Sequence, residues 1–457
     1  AVAAARAWLA HRLEGGAARA IVAASLRLAE LLIQDDAALL ALPVLDRADS
    51  LVHLANLTAE SIEALRIRGA ALAASGDTAA AVRALREAAT NAVEHPTSSG
   101  VRDAHVALGE LLAAIGQVDE AILAFETAAG QVESTTQTLD ADFDRVRYGD
   151  RNMAPYDGAI AAILSRTESS EQHRDLLRWS GRRKAATLAA ATSGQPSSAP
   201  AWTEDLPSLD SRSALVDYTV LGEDVVALVL RGNAVSVHRL ATTPDALSEL
   251  TRVVIGPMAS RAGGAVDMAR MSFDSVAALA LYRAVWRPLS GALAGVSHVT
   301  ISPDGPLHRV PFAALMNEAE DRPSFVIEAH DIDYVLSPWD LAPGSKAGHS
   351  AIREGARLFA VSYEAPGSDR EIAAITPEWP GLAHRISSAE ATETAVRGRE
   401  AGYQVVHYAT HAVADDRDPL ASYIRLAPDA RSDGLLHLSE IAATGRDQDL
   451  VVLSGCE

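Results

Sequence analysis

The hydrophobic period of this 457-residue chain changes once, and the change divides it in two. Up to residue 165 apolar side chains return at three- and four-residue steps, as in Ile62, Leu65, Gly69 and Leu72, then Val82, Leu85 and Ala88. That spacing lines one face of an α-helix. Residues 171–190 read as one further helix. Thr192-Ser193-Gly194-Gln195-Pro196-Ser197-Ser198-Ala199-Pro200 then breaks every regular pattern, because proline lacks an amide hydrogen and glycine leaves the backbone unrestrained. Past it, β-branched runs take over. Residues 215–221, 225–231 and 234–240 read as strands, the last two joined at Gly232-Asn233 as a hairpin. Further strands at 299–302, 357–362, 403–409 and 450–454 alternate with helical stretches. Two of those stretches open on capping-box patterns, Ser368-Asp369-Arg370-Glu371 and Ser387-Ser388-Ala389-Glu390. The strands at 403–409 and 450–454 are nearly all apolar, as a parallel sheet covered on both faces requires. The expected organisation is an all-α helical-repeat module over 1–165 and a connecting helix and linker over 166–212. An α/β domain with a mostly parallel central sheet follows over 213–457.

The helical half repeats itself. Gly69, Gly76, Ala81, Leu85 and Ala88 are matched forty residues later by Gly109, Gly116, Ala121, Phe125 and Ala128. Small residues at fixed places let paired helices approach closely, and the glycine after the first helix supplies its turn. The pattern resembles tetratricopeptide repeats, helix pairs of about 34 residues. The longer offset is explained by the loop His95-Pro96-Thr97-Ser98-Ser99-Gly100. The segment before residue 60 has room for another, degenerate pair. A generic Ala-rich bundle is the competing reading. A repeat module of this kind is expected to bind a partner or regulator protein.

Charge narrows the function. Lys and Arg total 40 against 60 Asp and Glu, a formal net charge of −20. Such a field repels phosphate backbones, and the only basic cluster, Arg182-Arg183-Lys184, is too small to reverse it. No nucleic-acid partner is expected. The single cysteine, Cys456, rules out an internal disulfide or a multi-cysteine zinc site. No apolar run reaches the length of about 18 residues that a membrane span needs. Arg6, Arg12 and Glu14 interrupt the Ala-rich opening where a signal peptide would be apolar. No membrane partner is expected, and a reducing cytoplasm is the expected compartment. The sequence opens on Ala and stops one residue after Cys456, the pattern of a fragment.

Functional groups in open parallel sheets collect at the carboxyl ends of strands. Residues 404–410 deliver His411 there, and 449–455 deliver Cys456, 45 residues later; caspases place their pair about 50 apart. An imidazole beside a thiol takes its proton, favours the thiolate and later protonates a leaving amine. The backbone N–H groups of Cys456 and Ala412 are candidate oxyanion donors. Taken alone, however, a cysteine after an apolar strand is more often a buried structural thiol. Asp415 and Asp416 follow the histidine and are candidate readers of a basic substrate side chain, against the plainer reading of solvated charges. His407 and His411 form an H-x-x-x-H pair without the usual Glu or a third ligand, so no metal and no cofactor are expected. Ser302 and Ser454 lack a nucleophile-elbow context, and Asp304-Gly305-Pro306 reads as a tight turn.

Ile301-Ser302-Pro303-Asp304-Gly305-Pro306-Leu307-His308-Arg309-Val310-Pro311-Phe312-Ala313-Ala314-Leu315 resembles the hallmark segment of CHAT domains, caspase-like cysteine peptidases often found behind tetratricopeptide repeats. Three later stretches fall in family order: Glu390-Ala391-Thr392-Glu393, Val406-His407-Tyr408-Ala409-Thr410-His411 and Val452-Leu453-Ser454-Gly455-Cys456-Glu457. The resemblance spans roughly 213–457. It implies a caspase-type fold, distant kinship with separase and gingipains, and endopeptidase cleavage of a protein substrate by His411 and Cys456. The sequence departs from the family at Ala412, where glycine is usual. The family's domain also continues well beyond its cysteine, which implies a C-terminally truncated piece that is a poor enzyme by itself. A non-catalytic interaction scaffold with a decayed peptidase domain is the alternative.

Overall fold

The computed structural model describes residues 1–13, 15–97, 99–139, 148–149, 151–166, 169–192, 207–259, 273–317, 324–341, 352, 355–415, 421–443 and 448–455. The linker expected at 192–200 lies almost wholly outside them. Two compact units result, one of Ala1–Thr138 with Tyr148–Trp179, the other taking in Ser180–Glu457.

The first unit is all helix: α1 (Val2–Leu13), α2 (Ala18–Gln34), α3 (Ala38–Ala55), α4 (Thr58–Ala74), α5 (Thr78–Glu94), α6 (Gly100–Ala114), α7 (Val118–Thr138), α8 (Ala154–Leu164) and the start of α9 (Ser170–Thr192). α4 and α6 end on Gly76 and Gly116, both at left-handed φ (91° and 80°). The next amides, of Asp77 and Gln117, bond back to the carbonyls of Leu72 and Leu112 at 2.9 and 2.8 Å. This closure satisfies carbonyls that a helix end otherwise leaves open. The same closure ends α2, where Ala37 N bonds to Leu32 O at 2.8 Å and Asp36 takes the left-handed place (φ 54°). Asp36 stands forty residues before Gly76, and Ala41, Leu45 and Ala48, all fully buried, match Ala81, Leu85 and Ala88. The degenerate pair before residue 60 is therefore α2–α3. Its glycines are replaced by Ala29 and Asp36, which hid it. The close approach expected of the small residues is present: a methyl group on Gly69 would meet Leu85 at 2.4 Å, and one on Gly109 would meet Phe125 at 2.7 Å.

The second unit begins with the remainder of α9 and is α/β. A five-stranded sheet runs β3-β2-β1-β4-β5 through β1 (Ser213–Leu221), β2 (Asp224–Arg231), β3 (Ala234–Leu240), β4 (His298–Ser302) and β5 (Asp331–Tyr334). β1, β2 and β3 form an antiparallel meander whose second turn is the expected Gly232-Asn233, with Gly232 at φ 58°. β4 and β5 join parallel, and α10 (Pro244–Ala259) and α11 (Ser275–Leu281) follow β3 in the chain. A separate four-stranded sheet, parallel throughout, runs β12-β8-β6-β7, built of β6 (Leu358–Tyr363), β7 (Ala383–Ser387), β8 (Val405–Thr410) and β12 (Leu450–Ser454). Phe359, Val361, Val406 and Tyr408 form one apolar face of that sheet, and Leu358, Ala360, Val405 and Ala409 pack with Ile372 on the other. β8 is buried along its whole length, as its composition requires. β12 is not: it pairs only with β8 among the described residues and leaves Leu450, Val451 and Leu453 exposed.

Two capping-box expectations give way to tertiary structure. α12 (Ser368–Ile375) is capped by Gly367 at φ 88°, and Ser368 is buried inside the helix with no side-chain cap. At the second site Ser388 adopts φ 50° and opens a single 3-10 turn, Ser388–Glu390. The helix α13 (Glu393–Arg399) starts later, where Thr392 Oγ1 accepts from Ala395 N at 3.1 Å.

The Arg182-Arg183-Lys184 cluster is not a surface patch. Lys184 is buried in the second unit, with Asp217 Oδ1 at 2.6 Å, Ser302 Oγ at 2.8 Å, Tyr218 O at 2.8 Å and Ser302 O at 3.0 Å. Arg183 donates to Asp304 Oδ2 at 2.9 Å, and that oxygen also accepts Val220 N at 2.8 Å. These bonds fasten the segment beginning at Ile301 to α9 and β1. Its apolar members Leu307, Val310, Phe312 and Leu315 then fill the core beneath the five-stranded sheet, Phe312 stacking on Tyr218 at 5.3 Å. The expected turn at Asp304-Gly305-Pro306 opens a short 3-10 helix, Gly305–Arg309, with Gly305 at φ 54°. Burial of His308 within it lowers the imidazole pKa, an effect opposed by Asp304 and reinforced by Lys184.

Candidate active site

The parallel sheet brings the ends of β8 and β12 side by side. Their register pairs Val405 with Leu450 and continues in step to Ala409 opposite Ser454. His411 and Cys456 each stand two residues beyond that last pair in the sequence. Cys456 and Asp416 lie outside the described residues, whereas Gly455, His411, Ala412 and Asp415 lie within them.

Thr410 anchors the end of β8. Its buried Oγ1 lies 2.6 Å from the Arg425 carbonyl and 3.0 Å from that of Tyr363. His411, half-buried, follows, and its carbonyl accepts Arg425 N at 2.8 Å. The chain continues as β9 (Ala412–Val413), antiparallel to β10 (Tyr423–Arg425), which in turn pairs with β11 (Leu435–His437). In a trans peptide the carbonyl and the N–H point oppositely. With the His411 carbonyl turned to β10, the Ala412 N–H is turned away from it.

Gly455 fits this place because it has no side chain. A methyl group there would lie 2.8 Å from the Thr410 carbonyl oxygen and 3.2 Å from both Ala412 Cβ and Ala412 N. The extra methyl at residue 412 thus faces a glycine and is accommodated. Asp415 is exposed, with its backbone N–H donated to Ser422 Oγ at 3.0 Å.

Around this edge the strand ends carry more polar groups. Glu364, just past β6, holds φ 48° and pairs with Arg425 at 3.1 Å. Desolvation, with Glu364 beside it, pushes the Tyr363 phenol above its ordinary pKa. His407 is buried within β8, and its Nε2 donates to Glu371 Oε1 at 2.8 Å. The second oxygen of Glu371 accepts Ser454 Oγ at 3.0 Å. His407 is thereby engaged by a carboxylate, and no group of three or more His, Cys, Asp or Glu side chains among the described residues is arranged to hold a metal. Sequence reasoning missed Glu371 as part of the site: the motif around it satisfied a capping box, and no local signal pointed from α12 to β8 and β12.

No helix among the described residues is long and apolar enough to cross a membrane. Residues 276–457 match the family model of the CHAT domain, a caspase-like, peptidase-type fold. The match includes β4 to β12 with His411 and Cys456, and β1–β3 precede it. No curated protein matches the chain.

Proposed function

We propose that the protein is a cysteine endopeptidase in which Cys456 is the nucleophile and His411 carries the proton. The observation that supports this best is the in-step register of β8 and β12, with His411 and Cys456 each two residues beyond the pair Ala409–Ser454 in the sequence. In the proposed reaction His411 takes the thiol proton and the thiolate adds to the carbonyl carbon of a peptide bond. The resulting oxyanion is met by the N–H groups of Ala412 and Cys456. Collapse breaks the C–N bond, His411 protonates the departing amine, and a thioester remains. Water activated by the same imidazole then hydrolyses the thioester and restores the thiol.

In this reading Asp415 and Asp416 contact a basic substrate side chain, the helical repeats bind a partner or regulator protein, and the reducing cytoplasm keeps the lone thiol free. Neither a metal nor a cofactor takes part. The test is labelling by a thiol-reactive probe, followed at Cys456 by mass spectrometry. Rapid labelling that falls in His411→Ala and ignores chelators is the expected result. A thiol that is inert, or that reacts equally in both proteins, overturns the peptidase reading and favours a non-catalytic interaction scaffold.

A further inference from the structure

We propose that Glu371 is a positioning residue for the Cys456–His411 centre, its carboxylate fixing the end of β12 against β8. The proposal rests on the peptidase reading above and adds a residue to it. One carboxylate bridges two strands: Oε1 accepts His407 Nε2 at 2.8 Å, and Oε2 accepts Ser454 Oγ at 3.0 Å. His407, on β8, precedes His411 by four residues in the sequence, and Ser454, on β12, precedes Cys456 by two.

The bridge acts where the two strands run in step: β12 pairs with β8 up to Ala409 opposite Ser454, and β8 is buried throughout. A carboxylate bonded to both strands sets the spacing of their ends.

Glu371 is well held for this task. It projects from α12, whose Ile372 is buried against Leu358, Ala360, Val405 and Ala409. Two residues before it, Asp369 Oδ1 accepts Ser362 Oγ on β6 at 2.6 Å. Ser362, Ala409 and Ser454 lie in one registered row across β6, β8 and β12, so α12 fastens all three strands near their carboxyl ends. The carboxylate is not used for capping, since Gly367 starts the helix and no side-chain cap bond forms. Charge-assisted hydrogen bonds are the stronger kind, and both oxygens here are spent on groups that set the spacing of the strands. Reacting groups displaced by about 1 Å lose on the order of a hundredfold in rate.

The experiment is the rate of Cys456 alkylation by iodoacetamide, measured across pH on the whole chain for wild type, His411→Ala, Glu371→Ala, Glu371→Gln and Ser454→Ala, with thermal unfolding of each. In wild type the rate is expected to depend on His411. Glu371→Ala should lower it about tenfold or more at neutral pH and move the profile toward that of an ordinary thiol, near about 8.5, while cooperative unfolding is kept. Glu371→Gln should recover part of the rate, because its amide oxygen still accepts Ser454 and its N–H donates to His407 in the other tautomer. Should Glu371→Ala fail to fold, Ser454→Ala decides: a loss of rate supports the bridge, and an unchanged rate overturns it. A His411-dependent rate that Glu371→Ala leaves at the wild-type value and profile overturns the positioning role alone. A rate indifferent to His411 overturns the peptidase reading and this proposal with it.

Discussion

Gly455 and Ala412 meet where β12 and β8 end, so closely that a methyl group on Gly455 would stand 3.2 Å from Ala412 Cβ and 2.8 Å from the Thr410 carbonyl oxygen. The second contact is with backbone that Thr410 itself fixes through Tyr363 and Arg425, so it has little room to yield. Gly455→Ala is expected to destabilise the unit by about 1–3 kcal/mol, read as a lower denaturation midpoint. Adding Ala412→Gly should restore only part of the loss, because the Thr410 carbonyl remains in the way. Full rescue by the double variant would show that the side-chain contact dominates.

Lys184 and Asp217 form an ion pair that is almost wholly buried. Removing one partner strands the other in a low-dielectric core, a loss of about 3–5 kcal/mol. Lys184→Met should show it in chemical denaturation, and Lys184→Met with Asp217→Leu should regain much of it. A piece of the chain begun at residue 213 lacks Lys184 as well, and should unfold at lower denaturant than one begun at residue 170.

In the helical unit, Phe125 is fully buried and sits against Gly109 and Gly158, where added methyls would approach its ring to 2.7 and 2.5 Å. Gly109→Ala is expected to cost about 1–3 kcal/mol through overpacking. Combining it with Phe125→Leu reproduces the Ala29 and Leu45 that occupy the same places two repeats earlier. The pair should therefore be more stable than Gly109→Ala alone, which thermal unfolding would report.

Asp429 is held at a pKa of about 2, first by the Arg431 N–H and then by Thr394 beside it; the N–H groups of Arg431 and Ser432 donate to its Oδ1 at 2.7 and 3.0 Å. A carboxyl depressed in the folded state adds stability above its ordinary pKa near 3.8, and the contribution is lost as pH falls toward about 2. An NMR titration of the Asp429 carboxyl should give a midpoint near that lower value, and Asp429→Asn should remove this share of the acid dependence. A midpoint at the ordinary value would refute the hydrogen-bonded arrangement.

Much of this molecule was legible before any tertiary contact was known, because local patterns report backbone conformation and the face a side chain takes. The forty-residue recurrence of Gly69, Gly76, Leu85 and their partners marked two helix pairs, since close packing and left-handed turns each demand small residues. Gly232-Asn233 marked its hairpin, and the apolar runs ending before His411 and Cys456 marked two strands. The third helix pair was obscured because Ala29 and Asp36 stand where the other repeats have glycine, Asp36 doing glycine's work at a left-handed turn.

What tertiary structure alone decided concerns residues far apart in the chain. Lys184, part of an apparent basic patch, is a buried cation because α9 lies against Asp217 and Ser302. Glu371, which fits a capping box, turns instead to His407 and Ser454, 36 and 83 residues away. Leu450–Ser454 pairs in step with β8, which brings Ser454 opposite Ala409, 45 residues earlier in the chain. A hydrophobic period records how a segment faces its surroundings, but which distant groups meet depends on strand order and register. Those are set by the packing of the whole unit, so a carboxylate or an amine can be assigned a partner only once that packing is known.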